Sequence, residues 1–164
     1  MKALTVQQPW AWAIMHGGKD VENRTQAWGY RGLLAIHAGA RISQRGVESP
    51  LVDAAFRRRP REVALPDIRG CEASKAIIGV VDLIEVHVAA DGCCDSPWGE
   101  REYGDGRPGF ERVRRRDIVH LVLERPRPLD VPVPCRGALG LWTVPSGVDD
   151  QVLAGLELAT REAM

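Results

Sequence analysis

Residues 76–88 read Ala-Ile-Ile-Gly-Val-Val-Asp-Leu-Ile-Glu-Val-His-Val, the longest β-type run in the chain. β-Branched side chains dominate it, and only Gly79, Asp82, Glu85 and His87 interrupt its apolar character. Such a run fits a pleated sheet far better than a helix. A strand of that length needs pairing partners, and the rest of the sequence offers them at 3–7, 20–24, 31–38, 117–124 and 139–144. Between these lie few helical stretches. Pro9 opens one, with Trp10 and Ile14 on a shared face and Gly17-Gly18 at its end. Ser49-Pro50 opens a second over roughly 50–59, with Asp53 near its first turn and Arg57, Arg58 and Arg59 at its end, before Pro60. Ser146 with Asp149 and Asp150 opens a third, whose stripe is Val148, Val152, Leu156 and Ala159. Residues 91–110, rich in Gly, Asp and Pro, read as an exposed loop. The expectation is an α+β domain: a small β-barrel with flanking helices and a C-terminal helix.

The chain has 164 residues, enough for one domain with one core. Lysine and arginine total 22, and so do aspartate and glutamate. That zero is a sum of opposites. Residues 145–164 carry four acids and one arginine, so residues 1–144 are +3 against a tail of −3. Total charge excludes a polyanion-coating protein, but the body is mildly basic. Nineteen of the cations are arginine; the lysines are Lys2, Lys19 and Lys75. No run approaches the ~18 apolar residues of a membrane span, and the first residues lack a secretory apolar segment. Cys71, Cys93, Cys94 and Cys135 form no C-x-x-C pair. Spacing therefore offers neither a disulfide framework nor a metal-ligand set, and a reduced, cytoplasmic protein without metal or cofactor is expected. No G-x-G-x-x-G or phosphate-binding loop is present.

Chemistry-bearing residues concentrate in 7–37. If 19–24 is extended, Asp20, Glu22 and Arg24 share one face and Lys19, Val21 and Asn23 the other. Glu22 and Arg24 then make an ion pair; on a solvated surface such a pair is worth only ~0–1 kcal/mol. Lys19 follows two glycines, where the backbone bends tightly enough to present an amine to a ligand. In an apolar pocket its pKa would fall. Trp10 and Trp142 read as core or pocket wall. Trp28, beside Gly29-Tyr30-Arg31, reads as the exposed ring able to stack on a base. Asp82, if no bulge intervenes, shares a face with Ile78, Val80, Ile84 and Val86, so it is either satisfied structurally or opens into a pocket. His37, His87 and His120 all fall in strands, where a core or edge role is the plain reading. Arg57–Arg59 with Arg61, and Arg112 with Arg114–Arg116, are candidates for phosphate contacts, although the first group also suits a helix C-terminus.

Gln8-Pro9-Trp10-Ala11, Gly18-Lys19, Glu22, Arg24, Tyr30-Arg31-Gly32 and Ile36-His37-Ala38 together resemble the start of an ASCH domain, named after an activating signal cointegrator. Ile78-Gly79-Val80-Val81-Asp82 looks like its middle strand. Val131-Pro132-Val133-Pro134, Arg136-Gly137 and Leu139-Gly140-Leu141-Trp142 look like its closing segment. The resemblance covers about 3–144, leaving 145–164 as an acidic helical tail packed on or beside the barrel. It implies a PUA-like fold with a cleft beside the first helix, and binding of RNA, single-stranded nucleic acid or a modified nucleoside. In that cleft Lys19, Arg24 and Arg31 would meet phosphate or base edges, Gln8 and Glu22 would read a base edge, Trp28 or Tyr30 would stack, and Trp10 and His37 would complete the lining. Some bacterial members deacylate N-acetylcytidine with a Lys, a Thr three residues later and a distant Glu. Lys19 matches the Lys, but the position three later is Glu22. The alternative function, hydrolysis of RNA or an acylated nucleoside, therefore needs Glu22 as a base on water, with Asp82 or His37 assisting. A third reading makes the tail helix a docking element for a protein partner.

Overall fold

The computed structural model describes residues 1–59, 74–101 and 117–162. Pro60, Arg61, Cys71, Arg112 and Arg114–Arg116 lie outside the described residues, and so does most of the 91–110 loop after Arg101. The elements run β1 (Lys2–Gln8), α1 (Trp10–His16), β2 (Val21–Arg24), β3 (Gly32–Ile42), α2 (Gln44–Val47), α3 (Pro50–Arg58), β4 (Ala76–Val88), β5 (Val119–Pro134), β6 (Leu141–Thr143) and α4 (Ser146–Glu162). Six strands form one sheet in the order β2-β5-β4-β3-β1-β6. The fold is thus mixed α+β, and among the described residues the sheet keeps two edges, β2 and β6, rather than closing on itself as the expected barrel would.

The β4 run takes the inner position its apolar content requires, between β3 and β5 and antiparallel to both. β1 lies parallel to β3, with Leu4 opposite Ile36. Alternation along the strands feeds two cores, one on each face. Leu4, Val6, Leu34, Ile36, Val81 and Leu121 pack with Ala11, Ile14 and Met15 of α1. Ala3, Ala35, Ile77, Val80 and Val133 face the other way, where Val148, Val152 and Leu156 of α4 cover them. Fully burying each Val, Leu or Ile contributes ~1.5–3 kcal/mol, so the sheet is stabilised from both faces. A third cluster joins Trp12 and Ala13 of α1 to Val52 and Ala55 of α3 and to Trp98.

Two departures from the sequence pattern have local causes. β4 does not keep strict alternation, because its register with β5 shifts between Ile77 and Gly79, Val80 and Asp82, and Leu83 and Glu85. β5 runs ten residues past the expected end at Glu124, through Pro126, Pro128, Pro132 and Pro134. Proline cannot donate to a ladder, which disguises this stretch as loop. Here β5 pairs with β4, as in Pro128 opposite Gly79, whereas β2 covers only Val119–Val122. A proline nitrogen has no hydrogen to place, so the stretch tolerates an edge that no further strand covers.

Candidate functional site

The site begins where α1 ends. The amides of Gly17 and Lys19 both donate to the Ala13 carbonyl, at 2.9 and 3.0 Å, and Gly18 between them takes φ 72°. That left-handed turn suits glycine and swings Lys19 inward. The residue is 4% exposed, and its ammonium donates to the Val21 carbonyl. It also stands 3.4 Å from Glu22 Oε2, while Glu22 Oε1 meets Arg24 Nε at 3.1 Å. The expected Glu22–Arg24 pair therefore forms, but Lys19 joins it instead of pointing to the opposite face. Burial pushes the Lys19 amine below the ordinary lysine range; Glu22 and then Glu100 oppose that shift, and Arg24 adds to it.

Two indoles flank the ammonium. Lys19 Nζ lies 5.5 Å from the Trp10 ring and 5.6 Å from the Trp98 ring, both within cation–π range. The rings meet edge to face at 6.4 Å and 87°. Trp10 is oriented by its Nε1–H, which donates to Ser43 Oγ at 2.9 Å. Trp98 is fixed by its carbonyl, which accepts from Asn23 Nδ2 at 2.8 Å. Trp10, Lys19, Glu22, Asn23, Trp98 and Glu100 line a cavity of about 330 Å³, within the range of small-ligand pockets. Arg45 adds a cation at its rim, paired with Glu100 at 2.7 Å.

Of the residues singled out from sequence, Trp10, Lys19 and Glu22 line this cavity, and Arg24 stands behind Glu22, donating to the Thr5 carbonyl at 2.8 Å. Gln8 is buried below it, where its Oε1 accepts from the Trp12 amide at 3.0 Å and supports the start of α1. Trp28, Tyr30 and Arg31 are not in its lining. Trp28 packs against the core, and the Tyr30 hydroxyl donates to the Leu33 carbonyl. Arg31 ties its own turn, donating to the carbonyls of Trp28, Tyr30 and Val86. The aromatic rings in the lining are Trp10 and Trp98. Asp82 is apart as well. Its β4 bulges turn it toward Arg125 and Arg127, the latter at 2.6 Å, so this buried carboxylate is satisfied by arginines. His37 lies in a second, larger and more apolar cavity of about 700 Å³, beside Thr5, Lys75, Cys135 and Arg136. Its charged lining residues are the cations Lys75 and Arg136, without a carboxylate. His37 Nε2 donates to the Cys135 carbonyl at 3.1 Å, and burial lowers its pKa.

Asn23, Trp98 and Glu100 were not legible as site residues. Two of them sit in a Gly/Pro-rich stretch whose sequence reads as solvated loop, and the Pro97-Trp98 pair was the one available signal. Elsewhere, His87, Cys93, Cys94 and His120 converge, contrary to the expectation from spacing that no metal-ligating set exists.

Comparison with curated proteins finds no match. Among solved structures, the ASCH protein of Zymomonas mobilis matches with a TM-score of 0.54 and 15% identity, over 93% of this chain and 93% of that one. Two point mutants of the same protein match at TM-scores of 0.54 and 0.53, also at 15% identity, over 93% of this chain and 96% and 94% of theirs. At that identity the likeness speaks for the fold. The sequence profile of the ASCH domain matches residues 4–100. Sequence and fold therefore agree: the chain belongs to the ASCH domain family.

Proposed function

We propose that the cavity under the end of α1 binds a nucleotide of RNA or of another single-stranded nucleic acid. The observation that carries this reading is the buried Lys19 ammonium, seated between two indoles and facing Glu22. Holding a buried lysine costs stability unless it is paired. Val21 and Glu22 take two of its three N–H groups, and the third is a donor for a phosphate or base edge. Trp10 and Trp98 supply apolar faces on which a base can stack, the usual way an unpaired base is held. Asn23 and Glu22 carry hydrogen-bonding groups suited to a base edge. The family association with RNA and the +3 body point the same way. Residues 1–144 are the proposed binding unit, with 145–164 as an accessory helix.

The geometry favours binding over hydrolysis. Both Glu22 oxygens are engaged by cations, which ill suits a base that must take a proton from water. Asp82, the proposed assistant, is held by arginines outside the cavity.

The test is titration of the full chain with fluorescent single-stranded RNA and DNA at several salt concentrations. Saturable, salt-sensitive binding that Lys19→Met abolishes is the expected result. Binding unaffected by that substitution, or none at low salt, would overturn the reading. Turnover of acylated cytidines by mass spectrometry, lost in Glu22→Gln, would favour the hydrolase instead.

A further inference from the structure

His87 and His120 are 33 residues apart in sequence but directly opposed across β4 and β5. Cys93 and Cys94 follow β4 on a turn that Gly92 makes with φ 71°. The four ligand atoms, two sulfurs and two imidazole nitrogens, all lie within 4.8 Å of one another. Cys93 Sγ and Cys94 Sγ are 3.8 Å apart, and His120 Nδ1 lies 3.4 and 3.3 Å from them. A tetrahedron with Zn–S near ~2.3 Å and Zn–N near ~2.05 Å has S–S edges of about 3.8 Å and S–N edges of about 3.6 Å. The three edges among Cys93, Cys94 and His120 therefore need to move only by tenths of an ångström to enclose an ion, and His87, within 4.8 Å of each of them, completes the set.

The surroundings fix the His120 ring as a metal site requires. His120 Nε2 stands 2.8 Å from the Glu100 carbonyl, and a carbonyl only accepts, so the proton is on Nε2 and the Nδ1 lone pair faces the sulfurs. His87 Nδ1 stands 2.9 Å from Glu85 Oε1 without a hydrogen bond between them, so the ring is free to turn either nitrogen toward the sulfurs. Its Nε2 is closed off from solvent and makes no hydrogen bond among the described residues. Gly99 presses on the cluster so closely that a Cβ there would meet His120 Cε1 at 3.0 Å and Cys94 Sγ at 3.3 Å.

We infer that His87, Cys93, Cys94 and His120 form a Cys2His2 site for zinc, or a cation of the same borderline-soft class. Linear spacing hid it because the ligands come from two strands and the turn between them. Four protein ligands leave no open position, so the site is structural. Binding releases the two thiol protons to solvent. The site clamps the segment that carries Trp98 and Glu100 to the sheet, and so holds one wall of the cavity.

The test strips the reduced full chain with a chelator and titrates it with Zn²⁺ or Co²⁺ alone. The expected result is one ion per chain. Co²⁺ should give the intense visible absorption of a tetrahedral site and a thiolate charge-transfer band. Cys93→Ser and Cys94→Ser should each weaken uptake by more than about 100-fold, beyond what loss of a supporting contact does, whereas Cys135→Ser should keep it. Zn²⁺ should also raise the melting temperature of the unaltered chain, which keeps the test decisive if a variant fails to fold. A folded, reduced chain that takes up no ion would overturn the inference. So would uptake that persists when both cysteines are replaced, or a melting temperature indifferent to Zn²⁺.

Discussion

Asn23 of β2 holds Trp98 in place: its Nδ2 donates to the Trp98 carbonyl at 2.8 Å, and its Oδ1 accepts from the Glu100 amide at 2.9 Å. One amide thus replaces the ladder that β2 would otherwise need on its open edge. Asn23→Ala removes both bonds and leaves two backbone groups short of partners, at ~1–3 kcal/mol each if they stay dry. The expected outcome is a stability loss of about 2 kcal/mol in urea unfolding, with weaker RNA binding because Trp98 is no longer fixed.

The two tryptophan positions separate the proposed stacking wall from the one expected from sequence. Trp98→Ala should weaken single-stranded binding by ~1–3 kcal/mol, the usual worth of one stacked base. Trp28→Ala, which alters core packing outside the cavity, should leave affinity within a factor of two of the unaltered chain once folding is verified by circular dichroism. Equal effects would disprove the assignment.

The Lys19–Glu22 pair should trade stability against binding. Glu22→Leu strands a buried ammonium and should cost about 3–5 kcal/mol. Replacing both, Lys19→Met with Glu22→Leu, should restore stability to the original value or above it, because a buried ion pair often contributes no more than an apolar one. Binding should be lost in both. Thermal melts beside affinity measurements decide the point.

Acid should destabilise the fold from a defined pH. Burial lowers the pKa of His37, partly opposed by its bond to Cys135, and burial also lowers that of His16. The unfolded chain takes up these protons near pH 6.5, before the folded one does. Stability should therefore be complete above about pH 6.5 and fall as pH drops through the lower folded values. His37→Gln should flatten part of that slope in melting curves recorded from pH 7.5 to 5.

On the other face, Val152 is fully buried and Leu153 is 41% exposed on the same helix. Val152→Ala should cost about 2 kcal/mol, and Leu153→Ala less than about 0.5. Neither should alter RNA affinity, since the sheet stands between α4 and the cavity.

What the sequence disclosed follows from how local each signal is. The strands around 76–88 and the helix opened by Pro9 are encoded in their own residues, and so is the Gly18 turn that delivers Lys19 to Glu22. Trp98 and Asn23 meet only because β2 pairs with β5 and the segment before β5 folds back over it. His87 and His120 meet through register, and register is a property of two strands together. For Asp82 the sequence leaves a structural and a pocket role open, because period-2 reasoning assumes an unbroken ladder and three register shifts intervene. The second half of β5 was missed because its prolines remove the donors by which a strand is ordinarily recognised.

Those prolines have a further consequence for the molecule among its neighbours. An uncovered strand edge with free donors and acceptors is a template on which another chain can add itself. The outer edge of β5 offers acceptors, but at Pro126, Pro128, Pro132 and Pro134 it has no hydrogen to give. A second chain laid along it would find no donor at those four positions. The stretch least recognisable as a strand is for that reason guarded against edge-to-edge association in a crowded solution.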